Sequence, residues 1–259
     1  MWRAHEFDSR EAMHMKVPCL AYLATLGLTI FSVLANAECV TQQAGFRALF
    51  DGKSTHGWHW SRSTFHGQNA KASAKSCVLV LERNPFGQGG LFMTDRKYHN
   101  FELYLEAKPD LYDNGGIFLR STEGGSAYQI ELAPPSGVTG MLIPELIGFG
   151  TPEFISPEPN FIDFSKPREI DRLWKNGEWN SMRVRITGDA PHVTVWINDV
   201  LLYELQMPAN DKIAGETTGY IGLQTHMSRG IPGGGHPSML GGLAEAKQRF
   251  RNILIKELP

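Results

Sequence analysis

Hydrophobic alternation with a period of two recurs along this chain and limits what it can fold into. In Phe101-Glu-Leu-Tyr-Leu-Glu-Ala107 the odd positions are apolar, while Glu102, Tyr104 and Glu106 fall on the other side. Ile117 and Leu119, then Tyr128, Ile130 and Leu132, supply further apolar faces. Met182–Ile186, His192–Ile197, Gly219–His226 and Phe250–Lys256 repeat the pattern. Successive side chains of a strand point to opposite faces, so each segment has one side to bury. Helical periodicity is almost absent. Many short strands with turn residues between them predict an all-β fold, a sandwich of two antiparallel sheets.

Turn chemistry agrees. Asn198-Asp199 separates Val193–Ile197 from Val200–Tyr203, a two-residue hairpin signal. Two segments interrupt the rhythm. Pro134–Lys175 is proline-rich and should be an ordered excursion with a short helix or two. Ser228–Gly242 contains Gly233-Gly234-Gly235, and it is either a lid over a site or a plain surface loop. Hydrophobic residues make up 42% of 259 positions, enough for one substantial core. The formal charge of −2 argues against a nucleic-acid partner. The sequence has no Gly-x-Ser-x-Gly elbow, phosphate loop or dinucleotide fingerprint.

Residues 1–37 read as a signal peptide. Lys16 precedes an apolar run, Leu20–Leu34, followed by the small-x-small stretch Ala35-Asn36-Ala37. The run is shorter than the roughly 20 residues that span a bilayer. Cleavage is expected before Glu38, giving an exported, periplasmic or extracellular domain over 38–259 with no stable membrane insertion. Met1–His14 is polar for a leader, which favours a start at Met13 or Met15. Glu38 ahead of Cys39 does not suit lipidation. Loss of Cys19 with the leader leaves Cys39 and Cys77, a pair that can form one disulfide in an oxidising compartment.

Five stretches, in order, carry a resemblance. They are Leu49-Phe50-Asp51-Gly52-Lys53-Ser54 with Gly57-Trp58, Phe101-Glu102-Leu103, Asn114-Gly115-Gly116-Ile117-Phe118-Leu119-Arg120, Gly177-Glu178-Trp179-Asn180, and Gly222-Leu223-Gln224-Thr225-His226 with Phe250-Arg251-Asn252-Ile253. From about Phe46 to Leu258 the chain resembles a family once called a domain of unknown function and now described as 3-keto-disaccharide hydrolases. The resemblance implies a concanavalin-like jelly-roll sandwich acting on oxidised sugars. The chain departs from the family pattern at three places. It has Tyr128-Gln129-Ile130-Glu131 where the family often has Tyr-Glu-Val-Gln, and Asn198-Asp199 where Asn-Gly is usual. Met141, Leu142 and Ile143 stand where a tyrosine tends to follow Thr139-Gly140.

Alternation places Gln129 and Glu131 on one polar face, Gln224 and His226 on another, and Arg120 beside Phe118. Amides, carboxylates and a histidine on one sheet face suit a carbohydrate partner, an oxidised disaccharide or glycoside in the leading hypothesis. That hypothesis is an exported enzyme cleaving 3-keto-glycosides: a base removes the C2 proton, the enolate is stabilised, the C1 substituent leaves, and water adds back. Candidate roles are His226 or Glu131 as base and Arg120 as oxyanion stabiliser. Gln129, Gln224, Asn114, Arg251 and a stacking Trp60 would contact the sugar. Arg251 has a structural alternative, turned outward by a bulge or buried against a carboxylate. Glu102 and Glu106 are expected to be solvated. His56, His59 and His66 lack metal-ligand spacing, and no cofactor is expected. The rival hypotheses are a non-catalytic carbohydrate-binding module and a cell-surface interaction domain.

Overall fold

The structure, a computed structural model, describes residues 39–135, 138–147, 169–207, 210, 212, 215–228, 243 and 245–259. The expected leader lies outside the described residues. So do most of the predicted excursion and nearly all of the glycine-rich loop. Among the described residues the strands form two sheets. The larger runs β12 (Val200–Gln206), β11 (His192–Ile197), β10 (Asn180–Thr187), β6 (Phe101–Ala107), β14 (Lys247–Glu257), β4 (Val78–Glu82) and β3 (Lys71–Lys75). The two-residue β1 (Arg47–Ala48) also pairs with β14. The smaller runs β2 (Trp58–Trp60), β5 (Gly90–Thr94), β13 (Tyr220–Thr225), β7 (Gly115–Ser121), β8 (Ala127–Leu132) and β9 (Leu142–Glu145). Neighbouring strands are antiparallel throughout. Among the described residues one short helix, α1 (Glu169–Leu173), lies in the proline-rich segment.

The sheets close over one core. Leu103, Leu105, Val184, Val195, Phe250 and Ile255 from the larger sheet meet Ile117, Leu119, Ile130, Leu132, Ile221 and Leu223 from the smaller. These are the apolar positions that alternation selects. Tyr203, at the β12 edge, donates to Gly140 O at 2.8 Å. Asn198 and Asp199 both take positive φ, 50° and 65°, so the hairpin makes the tight primed turn that suits right-twisted strands. Cys39 and Cys77 form a disulfide. It fastens the segment before β1 to the β3–β4 hairpin. Gly52, at φ +76°, lies against this bridge, and a Cβ there would sit 2.1 Å from Cys39 Cβ.

Bulges move two charged residues that alternation misplaces. In β14 the register shifts between Arg251 and Leu254, with Asn252 at φ 49°. The shift turns Arg251 to the outer face of the larger sheet. There its Nε donates to Glu106, and its guanidinium lies 4.4 Å from the Trp179 ring centroid. The bulge alternative for Arg251 is the one realised: its side chain is 37% exposed and pairs with Glu106 on the larger sheet, not buried against it. Glu102 and Glu106 are paired, not free in solvent: Arg185 donates twice to Glu102, at 2.9 and 2.8 Å, and Asn252 joins Arg251 on Glu106. In β7 the register shifts against β13, and Arg120 takes φ 52°.

Candidate functional site

The face of the smaller sheet turned away from the core carries the unusual chemistry. Opposing residues there run Gln224 (β13), Gly116 (β7) and Glu131 (β8). Gly116 leaves the space between the two polar side chains free. A Cβ at Gly116 would lie 2.4 Å from Gln129 Nε2, so the Gln129 amide rests over the glycine. From there Gln129 Nε2 donates to Glu131 Oε2 at 2.7 Å and to Gln224 Oε1 at 3.2 Å. Asn114 Nδ2 donates to Glu131 Oε1 at 2.6 Å. Glu131, Gln129, Asn114 and Gln224 are all buried. The swapped order of Gln129 and Glu131 puts the carboxylate on β8 in the row opposite Gly116.

The chain of hydrogen bonds continues to His66, whose Nδ1 lies 2.9 Å from Gln224 Nε2. Gln224 Oε1 already accepts from Gln129, so its amide nitrogen is the donor. His66 Nδ1 therefore accepts, and the proton of the neutral ring is on Nε2. That Nε2 is buried without a partner, 4.0 Å from Glu145 Oε1 on β9. The His66 ring stands edge-on to Phe118 at 5.6 Å, lies 4.0 Å from Phe65 and 5.8 Å from the His226 ring. Phe65 is 53% exposed.

His226 ends β13. Its backbone N donates to Asn114 O at 3.0 Å, and its ring Nδ1 lies 3.1 Å from Met227 O. The Nδ1 proton is held by that carbonyl, which leaves the ring's lone pair on Nε2. Behind both residues sits a buried ion pair between Arg83 and Asp113. Arg83 also donates to His226 O, to Leu243 O at 3.1 Å, to Ala246 O at 2.9 Å and to Asn114 O at 3.3 Å. Asp113 takes the Asn114 N–H at 2.8 Å and the Gln248 amide at 3.0 Å. One guanidinium thus gathers the ends of β4 and β13 and the starts of β7 and β14.

Burial sets the proton inventory. Desolvation raises Glu131 to about 8, against the Asn114 hydrogen bond that pulls it down. The neighbouring Glu145 charge adds to the rise. Desolvation also raises Glu145, to about 7. It lowers His66 to about 3, helped by His226, and lowers His226 as well. Near neutrality the site therefore holds a protonated carboxyl, a second carboxyl close to its midpoint, and two uncharged imidazoles with opposite tautomers. Separated acid and base assignments of this kind are what proton-transfer chemistry needs.

Of the residues chosen from sequence, Glu131, Gln129, Gln224, Asn114 and His226 come together. Three do not. Arg120 is turned by the β7 bulge, and its guanidinium donates to His99 O at 2.7 Å, Gly188 O at 2.7 Å and Asn100 Oδ1 at 3.0 Å. It ties the smaller sheet to the β10–β11 turn, with its donors spent on these oxygens. Trp60 faces the core, its ring 4.9 Å from Phe92. Arg251 belongs to the other sheet. The three histidines also separate: His56 is exposed, His59 bonds Asp95 at 2.8 Å, and His66 is in the site. Among the described residues no group of three or more His, Cys, Asp or Glu side chains is arranged to hold a metal. Sequence reasoning missed His66 and Glu145 as site members. It also missed Arg83, whose charge at the end of a strand was the available signal.

Over residues 45–256 the sequence matches the model of the 3-keto-alpha-glucoside-1,2-lyase-like domain. The chain belongs to this family. No curated protein matches it. Among solved structures, a candidate glycosyl hydrolase from Parabacteroides distasonis is 20% identical with a TM-score of 0.52, covering 83% of this chain and 94% of its own. A structure from work on endo-acting O-glycanases of the human gut microbiota is 9% identical with a TM-score of 0.51, covering 87% and 97%. The apo Crh5 transglycosylase is 10% identical with a TM-score of 0.50, covering 83% and 84%. These likenesses establish the concanavalin-like sandwich.

Proposed function

We propose that this chain is an exported enzyme that cleaves 3-keto-glycosides. One observation carries the reading: on the polar face of a 3-keto-glucoside lyase-like domain, Glu131 is a buried carboxyl raised to about 8, joined through Asn114 to a histidine whose Nε2 lone pair is available. The chemistry follows from the substrate class. A ketone at C3 acidifies the C2 proton. His226 Nε2 takes that proton, and the C2–H electron pair moves into a C2=C3 double bond as the ketone oxygen becomes an enolate. When the ketone re-forms, a C1=C2 double bond appears and the C1–O bond breaks. The leaving oxygen takes the Glu131 proton. Water added across C1=C2 completes a net hydrolysis. An uncharged His226 and a protonated Glu131 are the forms this sequence requires at neutral pH. Gln129, Asn114 and Gln224 orient the groups, and the free acceptors Asn114 Oδ1 and Gln129 Oε1 suit sugar hydroxyls.

The test is incubation of the purified mature chain with 3-keto and unmodified disaccharides in deuterated water. Expected are monosaccharide release and C2 deuteration from the 3-keto substrate alone. Binding of either sugar without turnover would replace this reading with the carbohydrate-binding module.

A further inference from the structure

Proton abstraction leaves one requirement unassigned, a partner for the enolate oxygen, because the Arg120 donors are spent on His99, Gly188 and Asn100. We propose that His66 Nε2–H and the Glu145 carboxyl form the site for the C3 oxygen and select a ketone over a hydroxyl at that carbon. This inference rests on the function proposed above and adds to it the recognition of the oxidised carbon.

Three observations support it. First, the His66 donor is buried and unpartnered, a costly arrangement unless a ligand atom completes it. Second, its direction is fixed from elsewhere. With the amides oriented as they are here, the two Gln129 hydrogens go to Glu131 and Gln224, and the Gln224 amide nitrogen donates to His66 Nδ1, which places the ring proton on Nε2. Third, Nε2 and Glu145 Oε1 are 4.0 Å apart, too far for a hydrogen bond to each other. One oxygen can sit about 2.8 Å from both. With Glu145 protonated, both neighbours donate. A carbonyl or enolate oxygen, which only accepts, satisfies both without supplying a proton. Preorganised neutral donors in a buried site stabilise developing negative charge. The titratable groups facing the pair among the described residues are Glu131 and His226, with Arg83 behind His226.

The experiment uses the mature chain with methyl α-glucoside and its 3-keto counterpart. It reads kcat/KM and C2 deuterium exchange, which reports enolate formation apart from leaving-group departure. His66→Phe and Glu145→Leu should each lower the exchange rate by about 10²–10³. His66→Gln and Glu145→Gln, which keep a neutral donor, should stay within about tenfold of wild type, allowing for the less favourable geometry of an amide donor. Wild-type activity should fall as pH rises through about 7, where Glu145 loses its proton. Glu145→Gln should shift that limb upward. Folded Glu145→Leu protein with near wild-type exchange would overturn the inference while leaving the proposed function intact. So would Glu145→Gln as inactive as Glu145→Leu, because Glu145 would then be needed as a carboxylate. Glu145 is only partly buried, so its pair of variants decides the matter even if His66→Phe does not fold. A wild-type chain that neither exchanges nor cleaves the 3-keto sugar would remove both proposals.

Discussion

Replacing Glu131 by glutamine removes one ionisation and almost no volume. Folding raises this carboxyl from 4.5 to about 8. Between those pH values the native chain keeps a proton that the unfolded chain has released. The stabilisation is complete below 4.5, declines as pH rises, and is lost above about 8. At about 1.4 kcal/mol per pH unit, the whole window corresponds to about 5 kcal/mol. Glutamine has no such slope. Its new amide would face the Asn114 amide donor, but Asn114 Oδ1 has no partner, and a flip of that amide presents an acceptor. At pH 5, where wild-type Glu131 is neutral, the two proteins should differ by no more than about 1 kcal/mol. By pH 9 Glu131→Gln should be the more stable by about 3–5 kcal/mol. Glu145 gives both proteins a slope of the same sign between 4.5 and about 7, so the difference between them reports Glu131 together with its coupling to Glu145. Urea unfolding followed by tryptophan fluorescence at pH 5, 7 and 9 measures it. Parallel stability curves for the two proteins would refute the buried, protonated carboxyl and the acid role built on it.

His226→Gln should cut turnover of a 3-keto substrate by roughly 10²–10⁴ with little change in melting temperature. Unfolding of that variant would mark His226 as structural. Arg120→Met should destabilise by about 3 kcal/mol, since it strands three acceptors in partly buried surroundings. Activity per folded molecule should survive, and a folded but inactive variant would return Arg120 to the site. Thiol labelling of unfolded, unreduced protein should find neither Cys39 nor Cys77 free. Loss of that bridge, at a sequence separation of 38, should cost about 4 kcal/mol in denaturant unfolding. Mass spectrometry of protein from its native host should find Glu38 at the N-terminus, and a chain retaining Leu20–Leu34 would refute leader cleavage.

The two-sheet sandwich was legible because burial imposes period two on every regular strand. Ile117, Leu119, Tyr128, Ile130, Ile221 and Leu223 face the core as alternation requires. The same rule found half the site, since Gln129, Glu131 and Gln224 are the outward positions of those strands. It failed where the backbone leaves the regular pleat. Arg120 and Asn252 take positive φ inside bulges, and each bulge changes which face the charge occupies. Trp60 failed for a different reason: alternation places it with Trp58 on the core face, whereas its aromatic character suggested a sugar platform.

His66 and Glu145 mark the other boundary of sequence reasoning. His66 comes from the segment between β2 and β3, and no local pattern says that this segment folds over β7 and β13 to reach Gln224. Glu145 is the last residue of a four-residue strand, too short to show alternation convincingly. Yet the feature that admits them was visible as Gly115-Gly116. A side chain at Gly116 would push the Gln129 amide from its seat and break the series that runs from Glu131 through Gln129 and Gln224 to His66. The missing side chain on β7 lets a carboxyl on one strand fix the tautomer of a histidine from a distant loop. Gly116→Ala therefore probes the proposed oxyanion site without touching either of its donors.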